Sequence, residues 1–199
     1  MIRQLILDVE TQKSFTEVGG FYPEKLGISF VGAIERVGYP EVGEIQETRY
    51  ELFESDIPLL FPVLERADVI IGFNSDGFDL PALSAYYSGD ISKLPSLDLL
   101  TVIKNAAGHR VSLDAVAHHT LGTRKSGSGL DALKWYAQGE LDKIRAYCMQ
   151  DVAITRDLFD YGRVHHQVKF LNHWNNLIEL PVDFTPPVKP APGTQMSLV

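Results

Sequence analysis

Apolar positions follow two rhythms along this chain. In residues 2–8 (IRQLILD) they run almost unbroken, and in 27–37 (GISFVGAIERV) they do so again, as buried strands do. Residues 46–53 (QETRYELF) form a third strand, and three strands in succession predict an antiparallel meander. Ser55 or Asp56 caps a helix running to about Ala67, with Pro58 in its first turn. DVIIGFN, 68–74, is a short buried strand, and FDLPALSAYYSG, 78–89, is a helix ended by Gly89. From 95 to 161 the pattern is almost wholly helical, with breaks near Gly108, across 121–129 and near Gly139, and room for one more strand. Strands first and helices later predict an α/β protein: a central mixed sheet, the meander plus parallel strands, flanked by helices. The last nineteen residues hold five of the eleven prolines. The organisation expected is therefore one domain over 1–180 and an extended or disordered tail over 181–199.

Composition narrows the classes. With 45% hydrophobic and 22% charged residues, the chain has the balance of an ordinary globular domain. No run of eighteen apolar residues exists, so no membrane association is expected. The N-terminal MIRQLILDVE lacks the apolar stretch and cleavage site of a secretory leader, and Cys148 is the single cysteine. Both observations set a cytoplasmic location as the expectation. A net charge of −8 argues against a broad electrostatic grip on duplex DNA. It leaves room for acids gathered around a metal that itself meets phosphate.

Three places concentrate carboxylates. Asp8 and Glu10 are two apart on a strand, so they share a face, about 6–7 Å apart along it. Either the strand surfaces there and both acids meet water, or both hold metal; the apolar run before them favours the second. Asp79 follows the buried strand and its loop of Asn74, Ser75, Asp76 and Gly77, where ligands gather in open α/β sheets. Asp76 or Asp79 also suits a plain helix-entry acid, and Asn74 a loop cap. Tyr147 and Asp151 are four apart, on one face of a helix whose core stripe is Ile144, Cys148, Val152 and Phe159. Asp151 sits at the edge of that stripe, where a metal or a salt bridge to Lys143 or Arg145 would relieve it.

Taken together, DVET, GFNSDGFDLPAL and YCMQDVAIT resemble the three motifs of the DEDD superfamily of 3′–5′ exonucleases, built on the RNase H-like fold. The likeness runs from residue 5 to about 159. With Tyr at 147 and Ala at 146, the third motif resembles the Tyr (DEDDy) form. RVSLDAVAHHTLG, 110–122, is similar to the helix before that motif in stand-alone members and in family-B DNA polymerase proofreading domains. The resemblance implies Asp8, Glu10, Asp79 and Asp151 as ligands of two divalent ions, Mg²⁺ or Mn²⁺, and Tyr147 as the group orienting an attacking water. It implies single-stranded DNA or RNA 3′ ends as substrate and nucleoside 5′-monophosphates as product. The rivals are a silent nucleic-acid-binding or interaction module and an RNase H-like endonuclease.

Substrate contacts are expected from Thr11, Asn74 and Phe78, and from Arg124 and Lys125 in the glycine-rich RKSGSG loop. QKSF, after Thr11, departs from any substrate-contacting pattern. Trp174 is expected to pack in the core rather than stack a base. Neighbouring pairs His118–His119 and His165–His166 point to different helix faces and give no zinc spacing. The Pro-rich tail is the candidate attachment for a protein partner.

Overall fold

The computed structural model describes residues 1–124 and 126–187. A five-stranded sheet forms the centre, in the order β3 (Gln46–Phe53), β2 (Ile28–Val37), β1 (Arg3–Thr11), β4 (Val69–Gly72), β5 (Ser96–Asp98). β1, β2 and β3 are the antiparallel meander that the sequence predicts, while β4 runs parallel to β1 and β5 parallel to β4. This is the mixed sheet flanked by helices that the sequence predicts.

Alternation along β1 divides the core in two. Leu5, Leu7 and Val9 face the layer with α1 (Phe61–Arg66) and α2 (Asp79–Ser84). Ile6 faces the other layer, where α3 (Leu99–Ala107), α4 (Leu113–Leu121) and the 25-residue α6 (Leu141–His165) pack. Asp8 and Glu10 share the parity of Ile6 and so project toward the α6 side. Burial on both faces explains why β1 reads as an unbroken apolar run.

Several local expectations need correction. Residues 54–67 begin as a 3-10 helix (Glu54–Leu60) and become α-helical only at Phe61; Pro58 and Pro62 lack the N–H groups an earlier α-helix would use. The helix expected over 78–89 stops at Ser84, five residues before Gly89. Ser96–Asp98 is the further strand for which the mostly helical stretch left room, although three residues are too few to show a period and fix its place. α3, α4, α5 (Gly129–Ala137) and α6 otherwise fill that stretch, and the left-handed Gly108 and Gly122 close α3 and α4.

After α6 comes a hairpin that the sequence reading missed, β6 (Gln167–Leu171) and β7 (Leu177–Pro181). Asn172 organises its turn, the side-chain oxygen accepting from the N–H groups of Trp174 and Asn176. Trp174, expected in the core, sits at the tip and is 70% exposed. Past the hairpin, Val182 and Phe184 are buried, although the sequence reading assigns them to the tail. Residues 188–199, and with them most of that tail, lie outside the described residues. Among the described residues no helix is long and apolar enough to cross a membrane.

Two polar groupings tie the layers. The guanidinium of Arg36 on β2 is fully buried and donates to both carboxylate oxygens of Asp160 on α6, at 2.6 and 2.7 Å, and to Gln4 on β1. On the opposite face Glu35 accepts from Arg66, Arg3 and Tyr50. Arg66 above all holds the Glu35 carboxyl down to about 2, from 4.5.

Two predictions follow from this packing. A Cβ on Gly162 would lie 2.3 Å from the Phe184 ring, so Gly162→Ala should destabilise by about 1–3 kcal/mol despite its better helix propensity. Urea melts check this, and adding Phe184→Leu should recover part of the loss. Glu35 takes a proton less readily folded than unfolded, so its stabilisation is complete above about pH 4.5 and fades as pH falls toward 2. Glu35→Gln should be less stable at neutral pH and should lose stability less steeply across that window.

Candidate active site

The acids of β1 meet α6 because the sheet is thin beside them. Asp8 pairs across the ladder with Gly32 of β2. A Cβ at Gly32 would come within 2.9 Å of the Met149 sulfur, 3.1 Å of the Cys148 sulfur and 3.2 Å of Val152. Glycine at 32 is therefore what lets α6 lie against the strands at this point. Cys148, in the core stripe as the sequence predicts, has a second role that spacing could not reveal. Its Sγ donates to the backbone oxygen of Asp8 at 3.3 Å and lies 3.4 Å from Asp8 Oδ2. Burial, then the charges of Asp8 and Glu10, push the thiol up, so it stays a donor.

Tyr147 and Asp151 come down onto the same spot from α6, and both are buried. The Tyr147 hydroxyl is hydrogen-bonded to Asp151. Burial first, then the negative charges of Asp151, Glu10 and Asp8, push its pKa well above the ordinary phenol value. The negative charges of three carboxylates thus bear on one hydroxyl. The salt-bridge alternative for Asp151 is corrected: Lys143 pairs with Glu140, and Arg145 with Asp142 and Glu51.

Asp79 arrives from beneath. It opens α2, is 3% exposed, and its Oδ1 accepts from the backbone N–H of Val9, between the two β1 acids, at 2.8 Å. Burial above all, and then the Asp8 carboxylate, push Asp79 well above the usual carboxylate range, while the Val9 N–H pulls the other way. Asp76, the alternative acid in this loop, faces a separate cavity of about 480 Å³ and bonds Ser96. Asp98, which the sequence reading passed over, anchors the loop. Its Oδ1 caps α3 through Leu100 N–H at 2.9 Å and accepts from Asn74 N–H at 2.7 Å.

Above these groups opens a cleft of about 630 Å³, lined by Asp8, Glu10, Tyr147 and Asp151. Of the expected substrate contacts, Thr11, Asn74 and Phe78 line it. Arg124 does not: its guanidinium turns to His118 on α4, 3.0 Å away. Lys125 lies outside the described residues. From the same loop it is Ser128 and Gly129 that reach the cleft. Missed by the sequence reading are Lys13, Phe15 and Arg110, whose Nη1 donates to Asn74 Oδ1 at 3.0 Å. Only the tertiary fold brings these together.

The donor set suits a hard divalent cation. Ligand atoms of Asp8, Glu10 and Cys148 lie within 4.8 Å of one another, with Asp79 and Asp151 adjoining. Clustered carboxylates repel, and oxygen ligands of this kind are those that hard cations take.

A comparison with curated proteins finds no match. Among solved structures, the chain matches the family B DNA polymerase from the hyperthermophilic archaeon Pyrobaculum calidifontis at TM-score 0.56 and 19% identity. The alignment covers 81% of this chain and 24% of the polymerase, so the chain spans about a quarter of that protein. The likeness is one of fold. A family model described as the RNase H superfamily matches residues 5–162. That stretch holds the five-stranded sheet except the first two residues of β1, with Tyr147 and Asp151 of α6, and the chain belongs to the RNase H superfamily.

Proposed function

We propose that this chain is a metal-dependent 3′–5′ exonuclease that removes nucleoside 5′-monophosphates from single-stranded DNA or RNA. The observation that carries the reading is the gathering of Asp8, Glu10, Tyr147 and Asp151 on one cleft at the ends of β1 and β4, with ligand atoms of Asp8 and Glu10 within 4.8 Å of each other. Asp8, Glu10, Asp79 and Asp151 would hold two divalent ions, Mg²⁺ or Mn²⁺. Bound there, such ions offset the charge of the phosphodiester and of the departing oxygen and ease deprotonation of water.

The protein's own groups do the rest. The Tyr147 hydroxyl gives its single proton to Asp151, which leaves its oxygen to accept from the attacking water and orient it. Asp151, accepting from Tyr147, fixes that hydroxyl in place. The Cys148 thiol and the Val9 N–H restrain Asp8 and Asp79, so the carboxylates are set before substrate arrives. Asn74 and Arg110 present an amide and a guanidinium to the strand along the cleft wall.

A gel assay tests the reading. With 5′-labelled single-stranded DNA and RNA, the protein should give a ladder shortening from the 3′ end in Mg²⁺ or Mn²⁺ and none in EDTA. Asp8→Ala and Asp151→Ala should fold and fall below detection. Tyr147→Phe should slow cleavage by about 10- to 100-fold, the usual loss for a group that orients a metal ligand. A folded wild-type protein that leaves both polymers intact in either metal would sink the proposal.

Stability offers an independent check. Asp79 is a buried carboxylate held beside another, a costly arrangement without a cation. Asp79→Asn keeps an acceptor for Val9 N–H and removes the repulsion. It should raise the melting temperature in EDTA by about 2–4 °C, the equivalent of about 1 kcal/mol. Added Mn²⁺ should then stabilise the variant less than wild type.

A further inference from the structure

We infer that the segment between β1 and β2, residues 12–27, is a base-stacking platform for the nucleotides upstream of the reacting 3′ end, an inference that rests on the nuclease reading above. The segment leaves β1 immediately after Thr11. Its aromatic rings form a continuous row leading out of the cleft. Phe78, one residue from Asp79, meets the edge of Phe15 at 5.9 Å. Phe15 stacks on Phe21 with ring centres 4.5 Å apart and planes 23° from parallel. Phe15 and Phe78 line the cleft, whereas Phe21 stands beyond it, 67% exposed, beside the half-exposed Tyr22.

Large apolar rings in water are unfavourable unless something covers them. Here the row is continuous with the cleft, and that continuity identifies the occupant as the same strand whose end reaches the acids. Unpaired bases offer flat faces to such rings, and every base has one, so the grip would be tolerant of sequence. Bases paired in a duplex have those faces stacked on each other. Charge is compatible with the assignment: in a chain of net charge −8, segment 12–27 balances Lys13 and Lys25 against Glu17 and Glu24, and Lys13 lines the cleft.

The segment is also built to hold still. Gln12 and Lys13 donate backbone N–H groups to Gly27 and Leu26, closing its base. Glu17 accepts from both the N–H and the hydroxyl of Ser14 at 2.7 Å. Gly20 N–H returns to the Phe15 carbonyl at 3.0 Å, which folds Phe21 back onto Phe15. A platform fixed in advance loses little entropy when a base settles on it.

Fluorescence anisotropy with a 5′-labelled thymidine octamer tests the inference, in EDTA and again in Ca²⁺. Phe21→Ala should weaken binding by about 5- to 150-fold, the range for one lost stacked base, and Phe21→Trp should restore it. An abasic octamer with the same backbone should bind wild type at least as weakly as the thymidine octamer binds Phe21→Ala. If wild type degrades single strands yet binds both octamers equally, or if Phe21→Ala binds like wild type, the platform is overturned and the nuclease reading stands. A wild-type protein that neither binds nor cleaves overturns both.

Discussion

Successive side chains of a strand point to opposite faces, and in β1 that alternation governs everything built on it. Leu5, Leu7 and Val9 go to one layer; Ile6, Asp8 and Glu10 go to the other. A slip of one residue would send both acids under α1 and α2, away from Tyr147 and Asp151. The strand cannot slip, because it is paired on both sides. β2 holds it antiparallel from Arg3 to Glu10, and β4 holds it parallel through Gln4, Leu5 and Ile6. Only past Glu10 does the ladder shift register, where the chain turns out along the cleft.

Gathering carboxylates under a helix is a repulsive arrangement, and the fold has to hold it closed from elsewhere. Arg36 does this nine residues along α6 from Asp151, two and a half turns away. Its buried guanidinium binds Asp160 through two bonds and Gln4 through two more, tying helix, β1 and β2 together. Farther along, Phe184 packs into the space over Gly162. Near the acids themselves, the absence of a side chain at Gly32 brings the helix down, and the Cys148 thiol bonds Asp8 across the gap. The site is thus clamped by groups that never touch a substrate, and its geometry is set before binding.

Much of this is legible in the sequence, and the limits are physical. Tyr147 and Asp151 are readable because one helix turn fixes their relation without any tertiary knowledge, and Asp8 and Glu10 because one strand does. The mixed sheet is readable down to β4. β5 is not, since three residues carry no period, and its Asp98 looks like an ordinary helix cap, which it also is. The β6–β7 hairpin hides behind an amide-rich turn, so Trp174 follows the usual preference for burial in the reading and the turn geometry in the molecule. Arg124 looks right because it sits in a glycine-rich loop, yet it faces His118, while Arg110 reaches the cleft from the end of another connection. Which cation meets a cleft depends on how loops fall across the fold, and no local pattern encodes that.

An acidic protein that takes a polyanion must separate two tasks. Its net charge of −8 and its clustered carboxylates repel phosphate, and few cations line the cleft to compensate. Grip through phosphates would need a basic groove, which would compete with the proposed ion sites for the same backbone oxygens. Grip through bases avoids that conflict, because stacking carries no net charge and acts on the opposite edge of each nucleotide. The row from Phe78 through Phe15 to Phe21 would supply such a surface one residue from Asp79. On this division of labour the acids need only meet the last phosphodiester, and the repulsion that they generate falls on one linkage rather than along the strand.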